Sequence, residues 1–348
     1  MALHDIRRPL CQFGPSCAIL RCVKYRRLGN TGMLVSEISY GTWVTFGNQL
    51  TAADAQRMIR KAISLGINYF DTADIDDHGQ AEEVLGRALR STAIRQDFVV
   101  ATKAYFPMGE GVNNRGLSRK HIFDSVHDSL GRLGTDYIDL FYCHRYDDHT
   151  PLVETLQAMQ DLIHAGKILH WGVSEWTADQ IAEASSKCKA NGWIPPSVDQ
   201  PRYSLLDRRA EDRVLPVCEH HGLGVIGFSP LAEGVLSGKY VGGGAHAPEG
   251  SRGTRDELNV YMRGALSDEG MTERIRRFVG LARSVGVTPS QLALAVLLRR
   301  REVDSLIAGA TTEAQLVEDV KASGLRLDEA TIDAVDDLFP PGRAAGGV

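Results

Sequence analysis

At 348 residues, with 24% charged and 43% apolar side chains, the chain is sized for one large α/β barrel or two smaller domains. Its formal net charge of −5 gives no electrostatic footprint for nucleic acid. No apolar run nears the ~20 residues of a membrane span; the most apolar stretch, Leu292 to Leu298, reads as the core face of a helix.

In chain order, residues 1–24 carry arginines at 7, 8 and 21 and two prolines, without the apolar stretch of a signal peptide. They read as a disordered extension. Cys11, Cys17 and Cys22 there, and Cys143, Cys188 and Cys218 further on, lack zinc-ligand or disulfide-framework spacing. Reduced thiols in a cytoplasmic protein are expected, and no metal. Tyr25 to Ser39 has the pattern of a hairpin, turning at Gly29-Asn-Thr-Gly32.

Strand and helix patterns then alternate. Short apolar runs are expected as strands at Ile38–Gly41, Asn68–Asp71, Phe98–Thr102, Ile138–Cys143, His170–Ser174, Ser197–Gln200, Gly224–Phe228 and Asp304–Ala308. Helical periodicity marks Ala52–Leu65, Ala81–Leu89, Arg119–Leu133, Pro151–Ala165, Ala178–Ala190, Arg209–His221 and Thr272–Val285. Buried strands separated by long crossovers pair in parallel, which fits a closed barrel or a doubly wound sheet. Polar residues decide between them. Asp71, Lys103, His144, Ser174, Gln200 and Ser229 each fall at or just past the carboxyl end of a different strand, and only in a barrel do those ends converge on one mouth. The expected fold is therefore a (β/α)8 TIM barrel over residues 25–340, with a flexible tail at 341–348. Gly222-Leu-Gly-Val-Ile-Gly227 matches a dinucleotide fingerprint in letters alone, because it follows a helix and enters a strand. Residues 240–270 form the one long irregular stretch, a length usual for lids and binding loops.

The densest chemistry lies in Tyr69-Phe-Asp-Thr-Ala-Asp-Ile-Asp-Asp-His-Gly-Gln-Ala-Glu-Glu-Val-Leu-Gly86. Asp71, Asp74, Asp76, Asp77 and His78 crowd a loop before a helix that opens with Glu82 and Glu83. This stretch resembles the aldo-keto reductase superfamily, in particular its potassium-channel β-subunit-like branch, whose pattern is Asp-x-Ala-x-x-Tyr-Gly-x-x-Glu. Asp71 and Ala73 match, while the tyrosine position holds Asp76. Lys103, closing Val99-Val-Ala-Thr-Lys103, and His144, closing Asp139-Leu-Phe-Tyr-Cys-His144, match the remaining catalytic positions. The resemblance implies that Asp71, Asp76, Lys103 and His144 form the catalytic group. It also implies that the hairpin closes the barrel bottom, while the long loop after the seventh strand reads as lid-like from its length.

The same resemblance implies NADPH as cofactor. Ser174 and Gln200 would hold the nicotinamide carboxamide, and Phe228 would stack on its ring. Ser229, Leu231 and Gly234 would follow the pyrophosphate. Gly309, Thr311, Gln315, Glu318 and Asp319 would take the adenosine end, where a turn opening a helix suits an anion. Lys239 and Arg252 would approach the 2′-phosphate. Trp43 and Glu175 are expected to touch substrate, Glu175 standing where the family has an amide.

Asp76 changes the expected chemistry. Beside Lys103 it should be ionised, since a nearby cation lowers a carboxyl pKa. A carboxylate has no proton for a ketone, but it suits a protonated C=N group. Reduction of an imine or iminium is thus the first reading, and with Glu175 at the same mouth the substrate is expected to be cationic. A carbonyl reductase using His144, His78 or Lys103 as donor is the second. An NADPH-binding regulatory subunit without turnover is the third. The expected partner is a small molecule, with self-association left open; nucleic acid and membrane are not expected.

Overall fold

The computed structural model describes residues 23–43, 45–46, 50–241, 262 and 267–344. A two-stranded antiparallel hairpin comes first, β1 (Tyr25–Arg27) and β2 (Leu34–Ser36), paired from Tyr25↔Ser36 to Arg27↔Leu34. Eight parallel strands follow: β3 (Ile38–Gly41), β4 (Tyr69–Asp71), β5 (Val99–Ala104), β6 (Ile138–Cys143), β7 (Ile168–Ser174), β8 (Val198–Gln200), β9 (Gly224–Gly227) and β10 (Ser305–Ala308). They close into a barrel in chain order, with β10 returning to β3 through Leu306↔Ile38 and Ala308↔Tyr40.

The crossover helices are α1 (Ala52–Ser64), α2 (Gln80–Arg90), α3 (Arg119–Leu133), α4 (Leu152–His164), α5 (Ala178–Ala190) and α6 (Val214–His221). After β9 come α7 (Glu269–Ser284) and α8 (Pro289–Leu298); α9 (Glu313–Val320) and α10 (Glu329–Leu338) follow β10. Their starts are written in the sequence. Thr177 with Gln180, Thr288 with Gln291 and Thr312 with Gln315 form reciprocal capping boxes, each satisfying two otherwise orphaned backbone donors. Gly134 ends α3 in the left-handed conformation. Gly86 lets α2 approach α3, since a Cβ there would lie 2.3 Å from the Leu133 carbonyl oxygen. Among the described residues no single helix is long and apolar enough to cross a membrane.

Period-two alternation sorts each strand into two faces. Ile38, Phe70, Val100, Phe141, Val173 and Val225 join the large core between barrel and helices. Tyr69, Val99, Ala101, Leu140, Tyr142, Val198 and Ile226 form a separate cluster with Leu28 and Val35 of the hairpin. The hairpin therefore plugs the amino-terminal end of the lumen. Its Gly29, at φ +48°, carries the chain so close that a Cβ would lie 2.3 Å from the Gly224 nitrogen. The next lumen-facing positions, two residues further along, are Asp71, Lys103, His144, Ser174, Gln200 and Phe228, so the alternation that fills the lumen also delivers the polar groups to its open end.

Three expectations change. Arg209–His221 is not one helix: a short 3₁₀ turn, Arg209–Glu211, precedes α6, which begins at Val214. Pro216 accounts for the late start, because a proline fits the first turn of a helix and not its interior. Val23 is buried and the Lys24 amide donates to Ser323 Oγ at 2.8 Å, so the barrel begins slightly before residue 25. Residues 341–344 of the expected flexible tail are anchored, with the Arg208 amide donating to the Arg343 carbonyl at 2.9 Å and Ala344 bridged to Asp207. Gly222 to Gly227 runs from the end of α6 into β9, as expected of an accidental fingerprint. Most of the long loop, Arg252 included, and Cys11, Cys17 and Cys22 lie outside the described residues. Cys143, Cys188 and Cys218 are free and buried.

Candidate active site

A cleft of about 840 Å³ opens at the carboxyl end of the barrel. Asp71, at the end of β4, is its hub. Oδ1 accepts from Lys103 Nζ, Oδ2 accepts from Gln200 Nε2 at 2.8 Å, and Lys103 Nζ also donates to the Thr72 carbonyl at 2.8 Å. Lys103 and Asp71 are both buried, so this is an ion pair shielded from water. Beneath it Tyr69 and Tyr142 share a hydrogen bond of 3.0 Å between their hydroxyls. Ser174 Oγ donates to the Gln200 carbonyl at 2.9 Å, tying β7 to β8 at the same level.

Asp76 enters from the loop after β4, its amide held by the Ala73 carbonyl at 3.1 Å. Its side chain is buried and lines the cleft. Burial pushes its carboxyl up to about 7, against the pull of Lys103 and with help from the negative charges of Asp71 and Glu82. The expected full ionisation of Asp76 is thus corrected. Lys103 is already answered by Asp71, and desolvation outweighs what attraction remains. Next to it in sequence, Asp77 and His78 take left-handed backbone conformations with φ of 48° and 50°. His78 is exposed and does not line the cleft, which removes it as a proton donor.

His144 follows β6, with its amide on the Ala104 carbonyl at 3.1 Å. Phe106 meets its ring edge-on at 4.9 Å between centroids. Burial, then Lys103 and Arg145, push the imidazole well below its usual range, so it is neutral near pH 7. It can offer or accept a hydrogen bond without a charge to desolvate.

The remaining expected residues converge on the same cleft: Trp43, Ser174, Glu175, Gln200, Phe228, Ser229, Leu231, Gly234, Lys239, Gly309, Thr311, Gln315, Glu318 and Asp319 all line it. Features of this wall suit a dinucleotide. Ser229, Ala232, Glu233 and Gly234 run at φ of 52°, 47°, 58° and 95°, a tight left-handed turn in which the Ala232 amide donates to the Ser229 carbonyl and the Gly234 amide to the Leu231 carbonyl, both at 2.9 Å. A Cβ on Gly234 would lie 3.0 Å from Lys239 Nζ, so the glycine leaves room for that cation across the turn. At the start of α9, the Thr311 amide donates to Gln315 Oε1 at 2.9 Å, leaving the Gln315 side chain as the group an adenosine phosphate would displace. Asp319 is buried, and its carboxyl rises to about 8 through desolvation, with Glu318 adding to the effect. A protonated Asp319 can donate where an asparagine would.

Glu175 departs from expectation in its surroundings. Its backbone is left-handed, at φ 58°, and Oε1 accepts the Arg202 amide at 2.6 Å. Its charge also acts on the Arg209 guanidinium. Asp147 is a loop fastener, accepting from Leu117 N, His149 N and Thr150 Oγ1, and Asp148 is exposed. Neither lines the cleft, so of the expected acidic residues at the mouth Asp76 and Glu175 remain. Phe106, Arg145, Arg202, Arg209 and Glu233 also line the cleft, although motif spacing gives them no role. For Phe106 and Arg145, adjacency to Lys103 and His144 is the signal that points to them.

Comparison with known proteins agrees with this geometry. A family model described as the aldo/keto reductase family matches residues 37–339. A protein of Oryza sativa subsp. japonica described as a probable voltage-gated potassium channel subunit beta is 41% identical over 301 residues, covering 86% of this chain and 91% of that one. An Arabidopsis thaliana protein of the same description is 40% identical over 302 residues, covering 86% and 91%. A Schizosaccharomyces pombe protein described as a putative voltage-gated potassium channel subunit beta is 39% identical over 325 residues, covering 91% and 90%.

Proposed function

The chain belongs to the aldo/keto reductase family, in the branch of the potassium-channel β subunits, and from that premise we propose that it is an NADPH-dependent reductase of C=N bonds in which Asp76 delivers the proton. The observation that carries this reading is the burial of the Asp76 carboxyl in the cleft, where it titrates at about 7. A general acid works best on an acceptor of similar basicity. An imine nitrogen is such an acceptor, and a carbonyl oxygen is far too weakly basic to take the proton in advance.

When bound, the reduced nicotinamide supplies a hydride, and the chain's residues do the rest. Ser174 and Gln200 would hold the carboxamide, with Phe228 beside the ring. The turn from Ser229 to Gly234 and Lys239 would serve the phosphates, and Thr311, Gln315, Glu318 and Asp319 the adenosine. Asp76 gives its proton to the imine nitrogen and remains as the carboxylate facing the cation it has made. Low polarity around it strengthens that attraction. Lys103, fixed by Asp71, limits how far the Asp76 pKa rises. Neutral His144 supplies a hydrogen bond beside the reacting carbon.

Carbonyl reduction is the second reading, with Asp76 or His144 as donor. The names of the relatives keep a third open, a regulatory subunit that binds NADPH without turnover. The deciding experiment follows NADPH consumption against paired carbonyls and their amine-derived imines. Faster turnover of the imines supports the proposal; carbonyls as good or better substrates would overturn it.

A further inference from the structure

Five side chains lining the cleft are cationic: Lys103, Arg145, Arg202, Arg209 and Lys239. Lys103 pairs with Asp71, and Arg209 grips Asp207 through Nε at 2.8 Å and Nη2 at 2.5 Å. Lys239 lies beside the turn at Gly234, on the wall suited to phosphates. Arg145 is different. It directly follows His144, donates through Nη1 to the His144 carbonyl at 2.5 Å, and rests over the Phe106 ring at 5.5 Å. Among the described residues no carboxylate pairs with it. Its guanidinium has five N–H donors, of which that carbonyl takes one.

We propose that the substrate carries a carboxylate and that Arg145 binds it. The proposal rests on the reductase reading above and names the substrate class that reading leaves open. Arg145 lines the same cleft as Asp76, in contact with His144 and Phe106 and apart from the residues assigned to the cofactor. The carboxylate therefore stands a few carbon atoms from the reacting C=N bond, as in an imino acid. A planar, half-buried guanidinium over an aromatic ring suits a planar carboxylate through paired N–H···O bonds. Two acidic groups of the cleft that could repel such a ligand are muted: Asp76 is partly protonated at neutral pH, and Glu175 is engaged by the Arg202 amide and opposed by Arg209.

The test uses three matched imines whose side chains end in a carboxylate, its primary amide or an amine. Each is assayed with the parent protein, Arg145→Gln and Arg145→Lys, and NADPH affinity by fluorescence controls for folding. We expect the parent to favour the carboxylate over the amide by about tenfold or more in kcat/KM, mostly through KM, since a charge-assisted pair is at stake. Arg145→Gln should bring that ratio close to one, and Arg145→Lys should restore part of it. A parent that prefers the amide or amine, or a ratio that Arg145→Gln leaves unchanged while NADPH still binds, overturns the proposal. Titration of the saturated amino-acid product against the NADP⁺-loaded protein needs no turnover. Arg145-dependent binding there, with no imine or carbonyl reduced, would retire the reductase reading and leave the carboxylate site standing.

Discussion

Gln200 Nε2 lies 2.8 Å from Asp71 Oδ2, joining β8 to β4 across the barrel mouth. Lys103 from β5 meets the other oxygen of the same carboxylate. One side chain thus aligns three strands and fixes a charge that acts on Asp76, the proposed proton donor. Asp71→Asn should leave Lys103 buried without its counter-ion. Such losses destabilise by about 3–5 kcal/mol. Chemical denaturation would read that cost, and reductase activity should fall by about a hundredfold or more in the protein that remains folded.

The pH profile follows from Asp76. Donation needs the protonated carboxyl, so kcat/KM for a neutral imine should decline as pH rises through about 7. A quaternary iminium needs no proton and should instead gain as Asp76 ionises. Parallel profiles for the two substrates would mean that another group supplies the proton. Asp76→Asn should lower kcat for the neutral imine by about 10²–10⁴.

Stability depends on the same group. A carboxyl that ionises near 3.8 when unfolded and near 7 when folded favours the fold below about 4 and loses that contribution as pH rises to 7. At about 1.36 kcal/mol per pH unit the full loss is about 4 kcal/mol, an upper bound. Asp76→Asn should therefore be more stable than the parent at pH 8, with the gain shrinking at pH 5. Urea unfolding at both pH values checks this.

Cofactor binding should be separable from the altered catalytic group. NADPH should bind with clear preference over NADH, and Lys239→Ala should weaken it about tenfold, as loss of a phosphate-facing cation does. Arg252→Ala should erase much of the preference. Equal fluorescence quenching by NADPH and NADH in the parent would remove the case for both residues.

Restoring the family residue is the complementary change. Asp76→Tyr places a phenol beside Lys103 and His144 and should raise activity on simple aldehydes. No gain in a folded, NADPH-binding variant would mean that the pocket has diverged beyond this position. The packing of α2 on α3 gives a test independent of chemistry. Gly86→Ala forces a methyl against the Leu133 carbonyl and should cost about 1–3 kcal/mol in unfolding free energy.

Much of this was legible in sequence. Arg119–Leu133, Ala178–Ala190 and Ile138–Cys143 have the bounds expected of them, because caps and apolar period are local signals. The strand-end residues found one mouth because alternation by two fixes which side chains face the lumen. What could not be read depends on surroundings assembled by the fold. The charge of Asp76 is set by burial, which neither Lys103 nor the spacing of Asp71 reveals. Glu175 reads as a free anion until Arg202 and Arg209, distant in sequence, close around it. Arg145 draws no notice in the sequence, because only the fold shows it lining the cleft over Phe106 with no carboxylate pairing with it among the described residues.

Leu28 and Val35 stopper one end of the lumen, so the barrel is a vessel with a single neck. Whatever enters last must leave first. A nicotinamide seated against Ser174 and Gln200 would be trapped beneath any substrate lying over Asp76 and Arg145. The order of traffic then belongs to the architecture: cofactor in, substrate in, product out, spent cofactor out. A hairpin far from the chemistry would thereby dictate the sequence of events at the opposite end.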